Sequence, residues 1–421
     1  MRILHIATGD SGGAGRAAHR LHEGLIRLGH DSAMLVKDRQ TGDPAVIRFQ
    51  PSSRLPSRLL RKLRDAQIDW ECRAARPKAL FSTDRSIPGP ELPGQMPDCD
   101  VINLHWVAEF VDYPAFFKAI PKGTPVVWTL HDMNPFTGGC HYAGSCAKFQ
   151  ECCGACPQLQ SKRENDLSRA VWSRKSAAFS ELLPDDLQIV TPSLWLAEAV
   201  RRSSLFKRFS VSTIPYGLDT EVFVPRDKTA ARAALGLPLQ ARILLFVANS
   251  ITDPRKGYDL LKQAVDELNL PGFHLISVGK GDATDGPSHT HFGMVTSERL
   301  LPVLYSAADA FVIPSLEENF AQTAMEALAC GTPVAGFRVG GIPEIVQPGV
   351  TGTLAEPGDY RSLRDAIQRL LESPVECNAL GTRARHLALD EFMLEKQADR
   401  YVQLYAKMKT SIAQKRAVPH A

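Results

Sequence analysis

"RILHIATGDSGGAGRAAHRLHEGLIRLGHDSAMLV", residues 2–36, decides the fold. An apolar run, RILHIAT, leads into a glycine-rich loop, then a helical pattern, GRAAHRLHEGLIRLG, and a second apolar run, SAMLV. Strand, helix, strand is a βαβ unit, and a strand that returns through a helix lies parallel to the first. The rhythm continues through DVINLHWV (100–107), TPVVWTLHD (124–132) and LQIVTPS (187–193). It restarts after Pro215 with ARILLFVANS, KGYDLLKQAVDEL, FHLISVGKG, SAADAFVIPS and TPVAGF. Two doubly wound α/β domains in tandem are the simplest reading, with their junction near STIPYGLDTEVFVP (212–225).

Size and composition agree. At 421 residues the chain exceeds one ordinary core and suits two domains of about 200 residues each. Its 44% apolar and 23% charged residues describe a soluble globular protein. A net charge of +3, without interleaved aromatic and basic residues, excludes a strongly basic nucleic-acid binder, so no nucleic-acid partner is expected. The N-terminus enters a strand without a charged n-region or cleavage site, so no signal peptide is expected. No apolar run approaches the roughly 18 residues of a membrane span, and the expected location is cytoplasmic. Nine cysteines there would be mostly reduced thiols or metal ligands. Two stretches break the rhythm: residues 50–97, which include RLPSRLLRKLRD, and residues 138–157, which hold five of the nine cysteines.

Read from Gly13, the opening loop spells G-x-G-x-x-A, the spacing that holds a pyrophosphate at a helix N-terminus. A dinucleotide fingerprint wants its first glycine directly after the strand and an acid at the end of the second strand. Here Gly9 to Gly12 intervene, while Asp38 could serve as the acid. A nicotinamide or flavin cofactor and a bare strand-to-helix turn both fit this stretch.

The second half separates them. PSLEENFAQTAMEALACGTPVAGFRVGGIPEIV (314–346) carries Glu318 and Glu326 in an E-x7-E arrangement, followed by ALACGTPV and GGIPE. With SGGAGRAA and LHD in the first half, PRKG at 254–257 and PGVTGTLAEPGD at 348–359, this resembles the retaining nucleotide-sugar glycosyltransferases of family four, which have the GT-B fold. The subgroup it resembles is that of bacterial exopolysaccharide assembly, of the colanic-acid type. The resemblance implies two Rossmann-like domains facing across a cleft. They would comprise an acceptor domain over 1–212 with a Cys-rich insertion at about 138–157, a donor domain over 213–395, and a C-terminal helix over 396–421 crossing back to the first domain. It also implies transfer of a sugar from a nucleoside diphosphate to a saccharide, lipid-linked or free, with retention, in surface polysaccharide synthesis. A sugar-nucleotide epimerase of the same fold and a non-catalytic sugar-nucleotide binder are the alternatives.

The chemistry suits the residues. Departure of the sugar leaves negative charge on the diphosphate, and the helix after Asn319 offers unpaired N–H groups to an anion. By the resemblance, Lys256 binds the diphosphate with Arg255 beside it, acting as a metal would. Glu318 and Glu326 accept from the sugar and the ribose, Asn319 and Phe320 belong to the donor-binding turn, and Gly12 and Gly13 let the first-domain backbone approach the diphosphate. His131, at a strand end, faces the donor sugar; a satisfied core histidine is the ordinary alternative, and His105 sits at a similar strand end. The family's further arginine is replaced here by Asn249 and Ser250. Asp98-Cys99-Asp100 imitates a metal-binding D-x-D but precedes a strand, so no catalytic metal or other cofactor is expected.

CHYAGSCAKFQECCGACP (140–157) places Cys140, Cys146, Cys153 and Cys156 as candidate ligands of a structural zinc, with Cys152 spare and His141 a possible substitute. Two disulfides or unlinked thiols are the competing readings. In RLPSRLLRKLR (54–64) basic residues alternate with leucines, which suits either a helix resting on anionic lipid, making the protein peripheral on the inner membrane face, or a solvated basic helix.

Overall fold

The computed structural model describes residues 1–75, 77, 79–283 and 286–417. The chain forms two units: Met1–Ile214 joined by the segment from Gln397 onward, and Pro215–Lys396.

The first unit is built on seven strands: β1 (Arg2–Gly9), β2 (Asp31–Asp38), β3 (Val46–Arg48), β4 (Val101–Leu104), β5 (Val126–Thr129), β6 (Leu187–Thr191) and β7 (Ser210–Thr213). All pairings are parallel, in the order β3-β2-β1-β4-β5-β6-β7. β4, β5 and β6 are buried at every position, as strands must be when crossover helices cover both faces. Strand order reverses between β1 and β4, which makes the carboxyl ends of these two strands the switch point where doubly wound sheets take ligands.

One face of this sheet packs the aromatic core of Phe116, Trp128, Phe136, Phe179 and Phe206. The other is closed by Leu21 and Leu25 of the helix Gly12–Arg27 and by Tyr401, Tyr405 and Met408 of the C-terminal helix Leu394–Ala417. The last helix is bonded as well as packed: Asn103 donates to Tyr405 Oη at 2.8 Å, and Thr129 Oγ1 lies 2.9 Å from Tyr401 Oη. Thr129 Oγ1 also donates to Asn103 Oδ1 at 3.0 Å, so the two tyrosines complete a polar pair that strands β4 and β5 bury between them.

The second unit has six strands: β8 (Arg242–Ser250), β9 (Phe273–Lys280), β10 (His289–His291), β11 (Ala310–Ile313), β12 (Val334–Phe337) and β13 (Gly352–Ala355). They are parallel in the order β10-β9-β8-β11-β12-β13, with the switch point between β8 and β11. Its core joins Leu244 and Phe246 of β8 to Val312 of β11 and to Leu363, Ile367 and Leu370 of the helix Tyr360–Glu372. Asp359 starts that helix by accepting from the backbone N–H groups of Arg361 and Ser362.

The excursion after β3 forms the helix Leu55–Ala75. Arg61 and Arg64 turn inward to Glu91 and Asp112, so Arg61 does not belong to the free basic face. Leu55, Leu59, Leu63 and Trp70 stand 59–76% exposed, with Arg54, Arg58 and Lys62 beside them. Among the described residues no helix is long and apolar enough to cross a membrane.

Candidate functional site

In the second unit the switch point is made of two interlocked loops. After β8 the chain makes a short turn, Pro254–Lys256, whose start is fixed by Asp253 accepting from the Arg255 backbone N–H at 3.0 Å. Gly257 follows with φ +69, and a Cβ there would lie 1.9 Å from the carbonyl oxygen of Pro314 in the loop after β11. Only glycine permits that approach. The loops are joined by Leu316 N–H donating to Arg255 O at 2.8 Å, and by Arg255 Nη1 donating to Glu317 O at 2.9 Å. From the other side Gly340, at φ +53, sits where a Cβ would come within 1.7 Å of Glu318 O.

This packing brings charges together. Lys256 Nζ lies 2.6 Å from Glu318 Oε2, Arg255 Nη1 lies 3.7 Å from the same oxygen, and Ser315 Oγ is 3.5 Å away. Burial alone would raise the Glu318 carboxyl, but the two cations outweigh it and hold the group below its ordinary value. The result is an ionised carboxylate and two cations at the carboxyl edge of β8 and β11.

The next helix runs over Gln322–Ala329, starting after an extended Ala321 rather than directly after Asn319. Glu326 within it is fully buried and accepts from Tyr305 Oη at 3.0 Å, so it is not a solvated helix-face charge. Asn319 is buried. The Phe320 ring is committed to packing, edge-on to Tyr216 at 5.7 Å and Phe392 at 5.9 Å.

In the first unit, Ser11 is extended and Gly12, at φ +71, turns the chain into its helix. Gly12 and Gly13 are exposed, and no acidic side chain lies in the first turn. Gly15 performs the packing role of such loops, since a Cβ there would meet Gly9 O at 2.6 Å. Asp38 is exposed at the end of β2, whereas Asp10 is the buried acid: it accepts from the backbone N–H groups of Gln40 and Thr41 at 2.8 and 2.9 Å.

His131 follows β5, half-buried, with Nε2 3.1 Å from His105 Nδ1. Burial lowers its imidazole to about 4, so it is neutral at pH 7. The neighbouring Asp132 is held in place by Trp106 Nε1 at 2.8 Å and His141 Nδ1 at 2.6 Å. Lys175, fully buried, donates to the carbonyl oxygens of Asn134 and Thr137 and so fixes the loop behind it. Nothing in the sequence pattern singled out Lys175, Ser315 or Tyr305; a lysine inside a helix reads as solvated until the loop it serves is known.

Cys140, Cys146, Cys153 and Cys156 line one cavity together with Phe81 and Phe149. All nine cysteines are free thiols, so the two-disulfide reading is not realised. Burial pushes Cys140 to about 12 and Cys153 to about 11. Among the described residues no three His, Cys, Asp or Glu side chains converge closely enough to hold a metal ion, so the arrangement does not match a formed zinc centre. His141 cannot substitute as a ligand as it stands, because Asp132 and Ser82 occupy its two ring nitrogens.

Comparison with known proteins covers both units. The family model described as Glycosyltransferase Family 4 matches residues 11–222, half of the chain, and the model Glycosyl transferases group 1 matches residues 227–387. A D-inositol 3-phosphate glycosyltransferase of Mycolicibacterium paratuberculosis is 37% identical over 189 residues, covering 41% of this chain. The match spans only 42% of that relative's length. Among solved structures, sucrose-phosphate synthase from Thermosynechococcus elongatus superposes with a TM-score of 0.66 at 23% identity, covering 98% of this chain and all of that one. Anabaena HepE in complex with UDP-glucose gives a TM-score of 0.63 at 18% identity, covering 97% of this chain and all of that one. At these identities the structural likeness establishes the fold: two Rossmann-like α/β units.

Proposed function

The chain belongs to glycosyltransferase family 4, and from that premise we propose that it transfers a sugar from a nucleoside diphosphate to a saccharide acceptor. The observation that carries this reading is the cluster of Lys256, Arg255 and Glu318 at the switch point between β8 and β11. Lys256 and Arg255 meet the negative charge that builds on the departing diphosphate, and the work they do is electrostatic. Glu318, ionised and held by both cations, accepts from hydroxyls of the donor sugar. Glu326 is the second carboxylate, assigned to the ribose, with the turn at Asn319 and Phe320 contributing backbone groups. In the first unit Gly12 and Gly13 present helix N–H groups to phosphate, and His131, neutral, meets an oxygen of the sugar. The structural neighbour that holds UDP-glucose supports a nucleotide-sugar donor.

Retention, a colanic-acid-type exopolysaccharide role and a lipid-linked acceptor form the finer reading, which rests on the resemblance of the motifs. An anionic membrane surface as partner is supported by the exposed leucines and Trp70 with Arg58 and Lys62 on the helix Leu55–Ala75 and Arg54 just before it, an arrangement that places apolar side chains in lipid and cations at the headgroups. A structural zinc is proposed on the shared cavity of the four thiols alone; binding would deprotonate them and draw them inward.

The test is a thermal-shift panel of UDP, GDP, ADP and their sugars, followed by hydrolysis and transfer assays on the best binder. Stabilisation by one nucleotide-sugar with turnover supports a transferase. Conversion of the donor without an acceptor would indicate an epimerase, and binding without turnover a non-catalytic binder. No stabilisation by any member would refute the assignment.

A further inference from the structure

The proposed chemistry uses His131 and gives no role to the buried His5 and His105 bonded behind it. His5 lies inside β1, His105 just beyond β4 and His131 just beyond β5, on three neighbouring strands. The register makes them a staircase. His5 lies opposite Asn103, two residues short of His105; Asn103 lies opposite Val127, which places Thr129 level with His105, two residues short of His131. Each imidazole is therefore one pleat nearer the ligand edge than the last and on the same sheet face. Such diagonal neighbours lie roughly 7–8 Å apart at Cα, within reach of imidazole rings.

The rings join into a chain. His5 Nδ1 lies 2.9 Å from His105 Nε2, and His105 Nδ1 lies 3.1 Å from His131 Nε2. Burial holds all three below their ordinary value, so each is neutral and carries one N–H and one lone pair. Two bonds among three neutral imidazoles allow only two complete proton orders. In one, His5 donates to His105 and His105 donates to His131; in the other both bonds run backwards. The free end decides between them. His5 Nε2 is buried with no hydrogen-bond partner among the described residues, and His22 packs edge-on against the ring at 6.0 Å. The backward order would leave an N–H stranded there, whereas the forward order leaves a lone pair. Orphaned buried N–H groups are the rarer of the two.

We propose that His5 and His105 are positioning residues that lock His131 in its Nδ1–H tautomer, so that it meets a sugar oxygen as a hydrogen-bond donor and not as a base. This rests on the reading of His131 as a contact to the donor sugar. His5 is the origin of the order: its own backbone strand fixes it, and its Nδ1–H sets the two bonds that follow.

The experiment is long-range proton–nitrogen correlation on full-length protein labelled with ¹⁵N-histidine, with His131 assigned by loss of its signals in His131→Gln. The wild type is expected to show His131 protonated on Nδ1. In His5→Leu that pattern should give way to the tautomer mixture of an unconstrained imidazole, and kcat with the preferred nucleotide-sugar should fall about 10-fold or more, as when an orienting partner is lost elsewhere, with little change in KM. His5→Asn returns an N–H near the position of Nδ1 and should restore both readouts. A wild-type His131 protonated on Nε2, or a His131 pattern unchanged in His5→Leu, would overturn the proposal. If His5→Leu fails to fold, the wild-type spectrum decides by itself. An ordered tautomer in a protein that turns over no nucleotide-sugar would leave the imidazole chain standing and refute the transferase reading instead.

Discussion

Replacing Lys256 by Met keeps most of the aliphatic stem and removes one charge. Its Nζ lies 2.6 Å from Glu318 Oε2, against 3.7 Å for Arg255. At an effective dielectric of about 20 these separations correspond to gross attractions of roughly 6 and 4.5 kcal/mol. Desolvation offsets most of this, because the Lys256 and Glu318 side chains are only 21% and 12% exposed. A charged hydrogen bond of this kind contributes about 1.5–3 kcal/mol net to folding, and K256M should lose that amount in urea unfolding. With Lys256 gone, burial acts on Glu318 against Arg255 and the Ser315 hydroxyl only, so its carboxyl moves up. In turnover the loss should be larger, about 10²–10³-fold in kcat, as for removal of one preorganised group that faces developing charge. The assay is single-turnover release of the nucleoside diphosphate from the donor that stabilises the wild type best, run beside the unfolding series. K256R, which keeps the charge in a different geometry, should recover part of the rate. Combining K256M with E318Q should show coupling in stability, since the two side chains share one bond. A K256M protein that turns over within about 3-fold of wild type would refute a role for this cation at the leaving group.

Four further outcomes are expected. His22 is fully buried, and burial, partly offset by Asp43, brings its imidazole from 6.5 to about 4. The unfolded chain takes up that proton first, so its contribution is intact above 6.5 and lost as pH falls to about 4, roughly 3 kcal/mol in all; urea midpoints across this window should fall less steeply in His22→Gln. Gly340→Ala must place a Cβ against Glu318 O in left-handed backbone, which should cost at least about 1–2 kcal/mol in stability, read in urea unfolding. Shifting the Glu318 loop should also lower turnover about 100-fold, and an alanine variant with wild-type rate would count against that loop. Sedimentation with anionic vesicles should weaken about 10-fold or more when Arg58 and Lys62 are both reversed to Glu, whereas insensitivity to the change would remove the membrane proposal. Metal analysis of the purified protein should find zinc that a chelator removes with loss of stability, and absence of zinc would end that proposal.

How much of this was legible in the sequence depended on whether a residue's role is local. β8 and β11 announce themselves as apolar runs because crossover helices bury both their faces. β3 and β10 do not: each is three residues at a sheet edge, and β10 reads His-Thr-His, so their pairing is imposed by β2 and β9. Lys256 and Glu318 are marked by the resemblance of PRKG and of the E-x7-E stretch, not by a local pattern of their own. Their 2.6 Å contact joins positions 62 residues apart and depends on two backbone approaches that no local pattern encodes. Phe320 carried the motif but not its consequence, because whether its ring faces ligand or core is set by Tyr216 and Phe392. His5 was invisible for the same reason. Inside RILHIAT it reads as a polar residue tolerated in a strand, and its partner lies 100 residues on.

The return of the final helix bears on how the chain matures on the ribosome. Tyr401 and Tyr405 complete the interior of the first unit and bond to Asn103 and Thr129, yet they are translated after Pro215–Lys396. At about 5–20 residues per second that delay is roughly 10–40 s. Throughout it the amino-terminal sheet lacks its last covering, while the later-made unit contains all of its own strands. The usual vectorial order is thus inverted: the middle of the chain can finish first, and the beginning waits for the end.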